Sequence, residues 1–352
     1  MNGLDSPSRP ALRGATLALL AAALFGVSAP LIQRFGAGLG PFATAALLYL
    51  GAAVVGVGMR QTVDREARLL RSDGPRLLAM AAAGAIAGPV ALAWGLQRTS
   101  ATGASLMLTL EALFTAMLAW LLYREAIGRR VWTAMFLLVV GGVLLILDQS
   151  RDSGSHLLGL LAVVLATAAW GLDNTLSRTL AQRDPAQVVM TKALLGTLAT
   201  SVLAIAFGEP LPSIAAALAL LAVGAVGYGL SLRFYLLAQR AFGAARTGSV
   251  FALAPFIGAA LAVVMGDHLA SWLMALGGAF MLAGVMLHLT ETHDHEHVHE
   301  AIDHEHAHAH DDGHHDHVHD PMPGASHSHR HRHERRRHAH PHVPDAHHGH
   351  RH

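Results

Sequence analysis

The sequence predicts an all-α polytopic membrane protein, and three features carry that prediction. Apolar runs of about 20 residues, the length of one helical crossing of a bilayer, recur along residues 14–289 with short polar breaks between them. Of 352 residues, 53% are hydrophobic and only 14% charged, although a polar C-terminus dilutes the apolar share; a soluble domain is far less apolar. The runs are continuous, neither alternating nor striped. That sets aside a β-barrel and the amphipathic helices of a soluble bundle alike.

The spans are taken in order. After a short polar segment, residues 1–13, the first run covers 14–33. It lacks a small-residue cleavage site and is read as a transmembrane helix rather than a removable signal peptide. The following spans are 41–59, 77–97, 102–122, 130–147, 157–177, 187–206, 214–236, 245–266 and 270–289. Pro30, Pro89 and Pro255 fall inside spans and predict kinks. Gly84, Gly88, Gly224, Gly227 and Gly229 allow helices to approach closely. With the N-terminus inside, fourteen arginines fall on cytoplasmic segments and only Arg34, Arg98 and Arg151 on the opposite loops. The positive-inside rule therefore puts both termini in the cytoplasm of a bacterial-type inner (plasma) membrane.

The ten spans divide into two repeats. Ala23-Leu-Phe-Gly-Val is echoed by Ala168-Ala-Trp-Gly-Leu, Gly40-Pro41 by Asp184-Pro185, Leu96-Gln-Arg98 by Ala238-Gln-Arg240, and Gly141-Gly-Val-Leu-Leu by Ala283-Gly-Val-Met-Leu. The order is the same throughout. Five spans per repeat is an odd number, so repeat 1 (residues 14–147) and repeat 2 (157–289) run through the membrane in opposite senses. Inverted repeats usually hold the substrate at their interface near mid-membrane.

Composition also excludes chemistry. The chain has no cysteine, which removes disulfides, thiolate metal sites and cysteine nucleophiles. There is no nucleotide-binding loop, so a primary pump within the chain is not expected. The spans carry no paired-acid, Ser/His or His-x-x-x-His constellation, and no enzyme is expected.

Residues Gly95–Leu147 resemble the EamA-type drug/metabolite transporters. The likeness rests on Ser105-Leu-Met-Leu-Thr-Leu-Glu111-Ala-Leu-Phe-Thr-Ala-Met-Leu-Ala-Trp120 and on Glu125 closing the helix. Thr247-Gly-Ser-Val-Phe-Ala-Leu-Ala-Pro255-Phe-Ile-Gly, followed by Asp267, looks like the same unit again. The resemblance implies ten helices, two tandem domains and a central cavity lined by helices 1, 3, 4, 6, 8 and 9. It also implies transport of small solutes without naming one. The chain departs from the family pattern at Ala112, where a proline is common, and at Leu47-Leu-Tyr49-Leu, where an arginine is common. It is similar to a subgroup that ends in a long His-rich tail.

An ionisable side chain at depth in lipid is expensive unless paired or wetted, so it is a functional candidate. Glu111, near the centre of the fourth span, is the candidate proton-titrating or cation-coupling group, the alternative being a structural carboxyl bonded to a neighbouring helix. Asp173 and Lys192 lie in the cytoplasmic third of adjacent spans and are either an interhelical ion pair or a gate. Lys192 is the only lysine beside 24 arginines, and an ammonium titrates more readily than a guanidinium. Asn174, Trp170, Trp94 and Tyr228 are candidate pocket-lining groups, though aromatics at membrane depth also serve packing and interface anchoring.

Residues 291–352 are a different material, holding 23 of the 26 histidines and 12 acids against 6 arginines. This composition cannot bury an apolar core, and a disordered cytoplasmic extension is expected. His293, His295, His297, His299, His304, His306, His308 and His310 repeat as His-x-His among carboxylates. Imidazole and carboxylate together suit a divalent metal such as Zn, Ni or Co; a solvated or pH-responsive extension is the alternative. No cofactor is required elsewhere. The expected partners are the lipid bilayer, a small-molecule or ion substrate and, as a candidate, a second copy of the chain in a homodimer; nucleic acid is not among them.

Three functions compete. The first is a secondary transporter of a small metabolite or drug-like solute, proton- or gradient-coupled, working as an exporter by alternating access. The second makes a divalent metal the cargo and the tail its collector, although His156, His268 and His288 all fall at span ends. The third is a membrane-anchored metal buffer or sensor, for which two full repeats with buried charges are more than an anchor needs.

Overall fold

The structure, a computed structural model, describes residues 9–59, 67–123, 128–149, 154–180, 183–242, 244–267 and 271–289, and in the tail 293–299, 302–308, 327–333 and 336–342. The long apolar runs form helices, because in lipid each backbone amide must find its partner within its own segment. Among the described residues, nine stretches are long and apolar enough to cross a membrane, and a tenth, Trp272–Leu287, is shorter.

The first span is α1 (Arg9–Gly26) and α2 (Ser28–Phe35), separated at Val27. The second is α3 (Pro41–Gly58), with proline at its start where no amide donor is needed. The third contains α4 (Gly74–Met80), a π-helical segment Ala81–Ala87 and α5 (Gly88–Leu96). The fourth is α6 (Ala101–Met107) and α7 (Leu110–Tyr123), the fifth α8 (Arg129–Gln149) and the sixth α9 (Gly154–Ser177). In repeat 2 follow α10 (Pro185–Ala206), then α11 (Ile214–Val223), a second π-helical segment Gly224–Leu230 and α12 (Ser231–Phe242). The ninth span is α13 (Ala244–Phe251) and α14 (Ala254–Val264), and the tenth is α15 (Trp272–Leu289).

The interruptions obey the repeat. The third and eighth spans are both π-helical at mid-course, and matching amides reach back five residues, Gly88 to the Ala83 carbonyl and Ser231 to the Val226 carbonyl. The kink expected at Pro89 takes this form: proline cannot donate to the Ala85 carbonyl, so the ladder shifts register around it. The second π segment has no proline and uses Gly224, Gly227 and Gly229 instead. The fourth and ninth spans break at Leu108–Thr109 and Ala252–Leu253, the latter just ahead of Pro255.

Packing interlocks the repeats. The second span lies along the seventh (α3 on α10) and the fifth along the tenth (α8 on α15). Small residues make these approaches possible: Gly56 faces the Met190 backbone, and Gly141 faces Gly277 and Met281. The first span packs on the eighth and ninth, and the sixth on the third and fourth. Leu48, Leu92, Met107, Leu160, Met274 and Met281 are buried in the shared core, while Val54, Leu198, Val202 and Ile205 point outward as lipid-facing side chains do.

In the tail the backbone is described at four segments. His293–His299 pairs antiparallel with Arg336–His342, and Ile302–His308 with His327–His333. A His-x-His repeat has the period of a strand, although two-stranded ribbons are marginal on their own. His310, Glu125 and the arginines at 60, 65, 124 and 151 lie outside the described residues.

Candidate functional site

Glu111 is the second residue of α7 and buried. The break at Leu108–Thr109 gives it that position: it sits on the first turn of a helix that starts inside the membrane, where the helix dipole favours a carboxylate, while the Glu111 and Ala112 amides donate to the Leu108 and Thr109 carbonyls. Asn174 Nδ2 on α9 donates to its Oε1 at 2.5 Å. Asn174 follows Asp173, whose Oδ2 accepts from Lys192 Nζ on α10 in a buried ion pair. The second carboxylate oxygen of Asp173 has no hydrogen-bond partner among the described residues. The structure thus brings Glu111, Asp173, Asn174 and Lys192 together as one chain of polar groups across the fourth, sixth and seventh spans.

The π-helical segment Ala81–Ala87 seats this chain. Gly84 lies directly against the Asp173 side chain, leaving no room for a Cβ. Its carbonyl accepts two hydrogen bonds, one from the Tyr49 hydroxyl and one from Trp170 Nε1 at 3.0 Å. Gly88 faces the same indole, where a Cβ would come within 2.8 Å of Nε1.

Beside the polar chain runs a cluster of aromatic rings contributed by both repeats. Phe25 meets Trp170, Tyr228 and Phe251 at 5.6, 5.7 and 5.3 Å between ring centres. Tyr49 meets Tyr228 at 5.5 Å, and Tyr235 meets Phe251 at 4.9 Å. Of the aromatics singled out from sequence, Trp170 and Tyr228 belong to this cluster. Trp94 does not: the Arg98 guanidinium stacks 3.8 Å above its ring near the end of the third span. Sequence reasoning missed Phe25, Tyr49, Tyr235 and Phe251. Phe25 was within reach, because it occupies the place in repeat 1 that Trp170 occupies in repeat 2.

At full ionisation, two carboxylates and one ammonium leave this site one net negative charge, walled by π faces that attract cations. The ends of the spans hold separate polar clusters. On the face that carries the start of α1, Arg183 Nε pairs with Asp73 Oδ2 at 2.9 Å, and Arg240 Nη2 donates to the Arg183 carbonyl at 2.9 Å. A cleft of about 380 Å³ between the first and eighth spans, lined by Leu24, Leu31, Phe35 and Val226, is apolar and holds no chemistry of this kind.

A fold of two inverted five-helix repeats with a charged site between them defines a membrane transporter, and the comparisons with known proteins agree. The EamA-like transporter family matches twice, over residues 12–147 and 157–290. The chain belongs to that family. An uncharacterized transporter of Methanothermobacter thermautotrophicus (strain Delta H) is 27% identical over 290 residues, covering 76% of this chain and 84% of its own. A protein of known crystal structure superposes with a TM-score of 0.59 at 22% identity, covering 81% of this chain and 98% of the other, a likeness of fold.

Proposed function

We propose that the protein is a secondary exporter that exchanges a small metabolite or drug-like solute against protons by alternating access, with Glu111 as the group that trades proton for cargo. The observation that carries this reading is a carboxyl group held by one amide, Asn174, on the first turn of a helix that begins at mid-span. Asp173 is already matched by Lys192, which leaves Glu111 as the exchangeable charge. The aromatic walls and the single unmatched charge favour a solute with an amine or other positive centre and disfavour anions. Helices 1, 2, 4, 6, 8 and 9 supply these groups; five of the six are among the cavity helices that the family resemblance implies, and helix 2, which carries Tyr49, is not. The arginine asymmetry of the loops supports cytoplasmic termini.

The test is proton flux in proteoliposomes, read with an enclosed pH dye while amines, zwitterions and anions of similar size are added. Wild type should release protons on addition of a cationic solute, and Glu111→Gln should abolish that response while Glu111→Asp retains part of it. Proton release by Glu111→Gln equal to wild type would sink the assignment.

A second reading, a divalent cation as cargo, draws on the tail, whose His-x-His segments and carboxylates form a metal-binding composition. Intracellular Ni, Co, Zn and Cu compared among wild type, a gene deletion, a truncation after Thr290 and Glu111→Gln separate the readings. A change on deletion and on Glu111→Gln favours metal as cargo. A change on truncation alone makes the tail a buffer attached to a carrier of something else.

A further inference from the structure

We infer that the tail is a metal clamp, each of its two ribbons holding a divalent d-block cation between histidines of an acidic half and histidines of an arginine-rich half. The antiparallel register carries this inference. It sets His293, His295 and His297 opposite His342, His340 and His338 in the first ribbon, and His304, His306 and His308 opposite His331, His329 and His327 in the second. Counting forward from His293 and back from His342 reaches Ile302 and His333 together, so one register serves both ribbons. Directly opposite positions of an antiparallel pair share a face, with Cβ atoms about 4.5–5.5 Å apart, and alternate positions along a strand share it too. Each ribbon thus gathers its facing histidine positions on one face.

The spacing of the histidines selects the same register. They stand at odd positions in His293–His299 and His327–His333, and at even positions in Ile302–His308 and Arg336–His342. Each half therefore changes phase once, between His299 and His304 and between His333 and His338, and the two changes lie across from each other. A slip of one residue either way would leave none of these histidines facing another. Charge favours the pairing as well. Residues 291–320 carry 10 acids and no arginine, and residues 327–352 carry 6 arginines and 2 acids. On the face away from the histidines of the second ribbon, Asp303 stands opposite Arg332 and Glu305 opposite Arg330, and opposite charges at facing positions stabilise a strand pair.

Two neighbouring pairs, such as His295 with His340 and His297 with His338, place four histidine positions on one face, two from each half. Four imidazole nitrogens suit tetrahedral Zn or square-planar Ni and Cu, whereas Mg and Ca take oxygen ligands. A two-stranded ribbon is marginal in water, and metal binding adds its free energy to folding. The ion and the strand pairing therefore stabilise each other, and metal draws the two halves of the tail together. The competing arrangement is chelation by His-x-His runs of a single strand, which needs no partner strand. This inference concerns the tail alone; it holds whichever solute the helices carry and whatever the role of Glu111.

Tight Zn capacity, measured on the full chain in detergent by equilibrium dialysis against Zn alone, separates the two arrangements. His293→Ala/His295→Ala/His297→Ala and His338→Ala/His340→Ala/His342→Ala should each remove one tight ion per chain. Combining these two sets should remove no more than either alone, because both belong to one site. Combining the first set with His304→Ala/His306→Ala/His308→Ala should remove a second ion, since those histidines lie in the other ribbon. Losses that add within the first ribbon, or no tight Zn at all, overturn the inference. The chain has no cysteine, so nitroxides on Val298→Cys and Arg337→Cys, which stand opposite each other, read the pairing itself. Zn should contract their separation to one short, narrow distance, and the histidine replacements in either strand should abolish that contraction. A separation that Zn leaves unchanged, or a contraction that survives loss of His338, His340 and His342, defeats the clamp.

Discussion

At the scale of single residues, the buried pair Asp173–Lys192 is the sharpest liability in the molecule. Removing one partner of a buried ion pair leaves the other charge stranded and costs about 3–5 kcal/mol, whereas replacing both with neutral groups is far milder. Lys192→Ala should therefore lower the thermal unfolding temperature in detergent strongly, and Asp173→Asn/Lys192→Gln should recover most of the loss. An equally unstable double variant would mean that the pair does more than neutralise itself. Glu111 differs in kind, since Glu111→Gln keeps the bond from Asn174 and should unfold close to wild type while losing coupling. The ionisable residues were legible because charge at membrane depth is rare and expensive. The link between Glu111 and Asn174 was not, because Asn174 carries no charge and its direction depends on how α9 is rotated.

At the scale of elements, the two π-helical segments are the features that no hydropathy pattern marks. A π segment holds one residue more than the α-helical ladder needs, and in the third span that extra residue turns the Gly84 carbonyl toward Tyr49 and Trp170. Pro89 hinted at a disturbance, but the matching segment at Gly224–Leu230 has no proline and its glycines read as packing alone. Gly84→Ala should drive a methyl into the Asp173 carboxylate and reduce both folded yield and transport, whereas Gly58→Ala, where a Cβ meets nothing within 4 Å, should leave both near wild type. Comparable losses at the two glycines would show that backbone freedom, not space, decides. Deleting Ala82 to restore an α-helical ladder should preserve insertion but abolish transport, as measured by membrane yield beside solute flux.

At the scale of the whole molecule, the ten spans and their inversion could be read from run lengths and from an odd number of crossings per repeat. The pairing of α3 with α10 and of α8 with α15 could not, because hydropathy marks a span but not its neighbour. The tail's composition cannot bury an apolar core, so truncation after Thr290 should leave the unfolding temperature unchanged while removing most bound Ni or Zn, measured by equilibrium dialysis. The contacts of α3 with α10 and of α8 with α15 have a property that the others lack: each maps onto itself when the halves are interchanged. Under the proposed alternating-access mechanism they would not have to break for the molecule to turn over, and they would act as its bearings. Gly56, Gly141 and Gly277 are the smooth surfaces of those bearings. A larger residue there would slow the turnover in both directions alike, adding friction without favouring either end.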